Sequence, residues 1–207
     1  MDFQFFESLS EKEAEDFLEQ FLRLESQNCG ALIERSRAQG LKLDYSVDSV
    51  PPFMIWVARD LRKFSIEPDG KLPDWIRNSE SFTKYLFEFD DPSKTLILRI
   101  AYYIGASFVH QFPWLRWAIG NKEFAQVNMP VVSGFIGGFE MPPILIAENL
   151  FARVAADPTK ESDMSRTYLR QLGIGKPAHL HNFRKWVSAF VLDLHTPLNA
   201  TAISQCM

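Results

Sequence analysis

Cysteine is nearly absent from this chain: two occur in 207 residues, Cys29 and Cys206. Two thiols so far apart make no disulfide framework, and reduced cysteines of an intracellular protein account for them. Long apolar runs are missing as well. No stretch approaches the ~20 apolar residues needed to cross a bilayer. The first residues, Met1 and Asp2 followed soon by Glu7, lack the basic segment and apolar stretch of a secretory signal. A cytoplasmic protein without membrane association, or else one exported without a cleaved signal, is therefore expected. Excess positive charge is lacking too: the net charge is −4, which carries no global mark of a nucleic-acid binder. Repeats, low-complexity tracts and Gly/Ser/Pro-rich linkers do not occur. One globular domain over residues 1–197 is expected, with a flexible C-terminal tail at 198–207.

The motifs of catalysis are equally sparse. Val132-Ser133-Gly134 lacks the preceding glycine of a nucleophile elbow, so Ser133 reads as a strand residue. Gly173-Ile174-Gly175-Lys176-Pro177 resembles a phosphate loop only superficially, because proline after the lysine supplies neither the hydroxyl nor the helix start such a loop needs. It reads as a helix end and a turn. Cys29 sits in no active-site motif and reads as a buried thiol. No catalytic residue, metal or cofactor is assigned from these patterns.

What the chain does have is ample apolar material, 46% hydrophobic residues and 18 Phe among its aromatics, enough for one core with rings to spare for a partner surface. Ser10 and Glu13 form a capping box ahead of a stripe of Phe17, Leu18, Phe21, Leu22 and Leu24. A second helix is expected from Gly30 to Arg37, stopping at Gly40. Ser49 to Pro52 reads as a further start, with Phe53, Trp56, Val57 and Leu61 inward and Arg59, Asp60, Arg62 and Lys63 outward. Residues 65–74 carry a Pro-Asp-Gly turn and read as a loop, followed by a short helix through Trp75, Ile76, Phe82, Tyr85 and Leu86.

Asp91 as N-cap and Pro92 at the first position open the most apolar helix, which suits a central place. Its Gly105 suggests close approach of another backbone. Beyond Pro113 the pattern shortens into strands, with Trp117 and Ile119 in one and Met129 to Phe135 in another. Pro142 and Pro143 then start a helix that reaches Val154. Two more helices are expected near 164–172 and 183–194. The fold class is α+β: a predominantly helical single domain with a small antiparallel β element around residues 114–140.

Four groups of side chains could carry function. Residues 1–100 hold 19 acidic and 13 basic side chains, while residues 101–207 hold 7 and 9. Glu11, Glu15 and Glu19, with Glu13 and Asp16 nearby, offer an acidic helix face able to steer a basic partner. Arg166, Arg170, Lys176, Arg184 and Lys185 form a stretch free of acids, suited to an acidic protein, a phosphate group or nucleic acid. His179 and His181, with His195 and Asp193, could hold a metal for a hydrolase if the fold drew them together. Glu140 and Glu148 flank an apolar stretch and invite a check for burial. The acidic face serves equally well as an ordinary exposed helix face, and the other groups read first as solvated or hydrogen-bonded surface.

The order from Leu96 to Val154 carries a resemblance. An apolar helix ending in Tyr103-Ile104-Gly105 precedes a strand with Trp117 and Gly120; a second strand, Pro130 to Phe135, leads to a helix started at Pro142. This resembles small cytosolic bacterial proteins of the immunity type encoded beside polymorphic toxins. The resemblance implies a non-enzymatic, protein-binding role, with a cognate toxin as partner, and supplies no catalytic residues. A protein-binding inhibitor is thus the leading expectation. A metal-dependent hydrolase at His179, His181 and His195, and an anion or nucleic-acid binder at 166–185, stand as alternatives.

Overall fold

Helix α4, Asp91–Gln111, is the central element. The computed structural model describes residues 3–46, 49–65, 84, 86–121, 127–135 and 138–160. Within α4 every residue from Ile100 to Phe108 is buried, as its sparse polar content requires. The cap lies one residue earlier than the sequence suggests. Asp90, not Asp91, accepts the Ser93 N–H at 2.9 Å. Pro92 therefore occupies the second helical position, where a missing N–H still costs no intrahelical bond.

Two helices flank α4. Ahead of them comes the short α1, Phe3–Ser8. Then α2, Glu11–Ala38, is one helix of 28 residues where the sequence suggested two. Its capping box is intact: Ser10 Oγ accepts the Glu13 N–H at 3.3 Å, and Glu13 Oε2 accepts the Ser10 N–H at 2.8 Å. The expected break at Gly30 does not occur. An interior glycine costs roughly 1 kcal/mol, and the buried seam through Cys29, Leu32 and Ser36 outweighs it. Also packed on α4 is α5, Pro143–Ala156, started by proline as expected and followed by a 3-10 turn at Pro158–Lys160.

Helix α3, Val50–Asp60, ends earlier than its apolar pattern implied. Arg62 and Lys63 leave the helix and enter β1, Lys63–Ser65, which pairs antiparallel with β2, Phe87–Phe89. Arg62 N–H donates to Ser93 Oγ at 2.9 Å and its carbonyl accepts from Asp90 N–H at 3.2 Å, tying this sheet to the start of α4. The second sheet stands where the sequence placed it. Strand β3, Arg116–Ile119, pairs antiparallel with β4, Pro130–Ser133, with Trp117 opposite Val132. Val132 also bridges to Met141, which leads into α5.

The protein is thus mostly helical, α+β, with two small antiparallel sheets. Among the described residues no helix is long and apolar enough to cross a membrane. Of the helix expected from Trp75 through Leu86, Lys84 and Leu86 are described and neither is helical; the rest of it, the helices near 164–172 and 183–194, the end of the domain at 197 and the tail at 198–207 lie outside the described residues.

Candidate functional site

The outer side of α2 displays the acidic side chains. Glu11, Glu15 and Glu19 are all exposed, as is Asp16. Glu11, Glu15, Leu18 and Leu22 follow at intervals of four, three and four residues, so they share one stripe. Leu22 is 38% exposed and Leu18 half-buried. The stripe therefore offers acid and hydrocarbon side by side. Glu19 pairs with Arg23 one turn on. Glu13 is engaged in the cap, where its hydrogen bonds from Ser10 hold its carboxyl below the usual carboxylate range.

Further along α2, spacing at three and four carries the same stripe to the half-buried Glu25 and then to the buried Cys29, Leu32 and Ser36. Here polar groups meet aromatic rings. Trp117 Nε1 donates to Glu25 Oε2 at 2.5 Å. The indole also stands edge-on to Phe21 at 5.2 Å, and Phe21 stacks on Tyr102 at 3.9 Å. Burial raises the Glu25 carboxyl, and the Trp117 bond only partly offsets this. Cys29 is 1% exposed. Burial first, and the Glu25 charge second, push its thiol up to about 12. A thiol so protonated at neutral pH is a poor nucleophile, in line with the sequence reading of a buried structural cysteine.

The segment after α2 closes this cluster. Tyr45 adopts φ +60°, a left-handed conformation a bulky side chain rarely takes. Its N–H donates to Tyr103 Oη at 2.7 Å, its ring stacks on Tyr103 at 5.2 Å, and the exposed His110 lies flat against it at 5.1 Å. Tyr103 Oη also meets Ser49 Oγ at 3.0 Å. Burial, then the neighbouring Cys29, raises Tyr45 to about 12, and burial does the same for Tyr102.

Other residues singled out by sequence hold structural posts. Ser133 ends β4. Glu140 is half-buried and accepts the Asn121 N–H at 2.9 Å, bracing the chain after β3. Glu148 is half-buried on α5. Among the described residues no group of three or more His, Cys, Asp and Glu could hold a metal ion. Arg166, Arg170, Lys176, Arg184, Lys185, His179, His181, Asp193, His195 and Cys206 lie outside the described residues.

Sequence reasoning missed the Glu25–Trp117 contact, the Tyr45 turn and Asn128. Asn128 is buried at φ +59° and donates through Nδ2 to the carbonyls of Phe6 and Leu9 at 3.1 and 2.9 Å. The signal for Glu25 was present: an acid occupies an inward position of the seam that carries Cys29 and Leu32. Comparison with protein families, with curated proteins and with solved structures finds no match to this chain.

Proposed function

We propose that this protein acts without catalysis, by binding another protein through the outer stripe of α2, as an immunity-type inhibitor of a partner with a basic surface. The observation that carries this reading is the juxtaposition of Glu11 and Glu15 with the accessible Leu18 and Leu22 on one rigid helix. Acidic groups steer a basic partner and fix its register, and the leucines give up apolar surface on contact. A long capped helix presents both without ordering cost, which favours affinity. The partner is a cognate toxin of the kind that the resemblance over residues 96–154 implies.

The test is protection. Cells producing a toxic neighbouring gene product are expected to survive when this chain is co-expressed, and the two proteins should co-purify. The variant E11K/E15K, which keeps the helix and reverses the stripe, should lose both effects while its circular dichroism stays native. If the native chain protects against no neighbouring product and elutes alone, this reading fails.

A further inference from the structure

Arg35, Asp60 and Trp56 make a complete set in this protein: the guanidinium pairs with the Asp60 carboxylate and lies 5.3 Å from the centre of the Trp56 ring. A carboxylate beside an aromatic ring suits a guanidinium, which is planar, forks onto two oxygens and is weakly hydrated. Glu25 and Trp117 supply two of the same three parts. Trp117 Nε1 donates to Glu25 Oε2 at 2.5 Å, a bond that favours the ionised carboxyl. Glu25 Oε1 accepts from no described residue and keeps contact with solvent. Trp117 and Tyr45 are half-buried like Glu25 itself. The described ionisable groups that feel the Glu25 charge are Cys29, Tyr45 and Tyr102, and none of them is a cation. A half-desolvated carboxylate with one neutral donor is under-compensated, and a cation arriving from outside would offset that cost.

We propose that the Glu25 carboxylate, held by Trp117 beside Tyr45, is the docking point for an arginine side chain of the protein that binds along α2. This rests on the binding role of the α2 stripe and names the group that the far end of that stripe receives. Glu11, Glu15, Leu18, Leu22 and Glu25 follow at intervals of four and three, so Glu25 continues the stripe. Glu11 and Glu25 stand about 21 Å apart at 1.5 Å per residue, with the accessible leucines between them. A partner lying on Leu18 and Leu22 therefore brings a side chain to Glu25. The receiving pair is already rigid. The indole fills the notch at Gly105, where a Cβ would sit 2.1 Å from Trp117 Cη2, and stands edge-on to Phe21 at 5.2 Å. The carboxylate thus needs no ordering when the guanidinium arrives, which favours affinity. A buried charge pair at the end of an apolar contact also fixes the direction in which the partner lies.

The probe is N-acetylargininamide, titrated at low salt into the full chain carrying isotope-labelled tryptophan, with N-acetyllysinamide and the uncharged N-acetylcitrullinamide alongside. The arginine analogue is expected to shift the Trp117 indole N–H resonance saturably. The lysine analogue should act more weakly and the citrulline analogue should leave the resonance in place. In E25Q, which keeps an acceptor for the indole but no charge, the arginine analogue should bind roughly tenfold more weakly or worse, since hydrogen bonds to a charged group are the stronger kind. No response to the arginine analogue, equal responses to arginine and citrulline or to arginine and lysine, or an undiminished response in E25Q overturns the site. Should E25Q fail to fold, the three analogues on the native chain decide. Co-expression separates this inference from the binding role beneath it. A native chain that protects against no neighbouring product brings down the binding role and the arginine site with it. A native chain that protects, with folded E25Q protecting equally well, brings down the arginine site alone.

Discussion

Gly105 and Asn128 show how single positions hold the α+β body together. A Cβ at residue 105 would meet Trp117 Cη2 at 2.1 Å and Cζ2 at 2.3 Å. G105A should therefore push the indole from its notch and destabilise by roughly 1–3 kcal/mol, the usual cost of overpacking, with the Trp117 indole resonance displaced in the same sample. Sequence suggested that Gly105 admits another backbone; what it admits is a tryptophan side chain, and only the register of β3 decides that. Asn128 supplies two donors to carbonyls of the α1–α2 junction and tolerates its left-handed backbone better than most residues. N128A should cost about 1–3 kcal/mol for the carbonyls left unsatisfied. N128D should cost more, because it aims a carboxyl oxygen at them. Denaturant titration of the three proteins checks the order.

Elements respond to different substitutions. Gly30 lies inside α2, and a Cβ added there meets nothing within 4 Å. G30A should stabilise the protein by up to about 1 kcal/mol through helix propensity. A loss of stability would instead mark Gly30 as a real joint in α2. At the other extreme of the helix, S10A removes the cap acceptor for Glu13 N–H and should cost roughly 0.5–2 kcal/mol, visible as a lower thermal midpoint. The capping box was legible because its four-residue signature is local. The continuity of α2 was not, since the polar run Ser26-Gln27-Asn28 ahead of Gly30 imitates a break, and only packing against α4 shows that Cys29, Leu32 and Ser36 continue one seam. Strands β1 and β2 are three residues each, too short for alternation to register.

Over the whole molecule, carboxyl groups pull the pH dependence in opposite directions. Hydrogen bonds within their own turns hold Asp44, Asp90 and Asp157 below the ordinary aspartate range, with Ser46, Ser93 and Thr159 as the leading donors. Their contributions are present above the ordinary aspartate value and are lost as pH falls through each lowered one. Glu25 behaves conversely. E25Q should therefore gain stability over the native chain as pH rises above the ordinary glutamate value, checked in a urea series across pH. On the proposed binding role, association through the α2 stripe should weaken as salt screens Glu11 and Glu15, and E11K/E15K should abolish this salt response along with binding.

The amino-acid sequence by itself determined the starts of α2, α3 and α5, the α+β class, the position of the β3–β4 pair and the exposure of the acidic face of α2. Those features arise from caps, prolines and periodicity acting over a few residues. Tertiary structure alone decided that an inward-facing Glu25 meets Trp117, that Tyr45 is held in a left-handed turn by Tyr103, and that Asn128 clasps the α1–α2 junction. Each of these joins residues 58 to 122 positions apart, and no local pattern encodes a contact between segments that meet only once the core has closed.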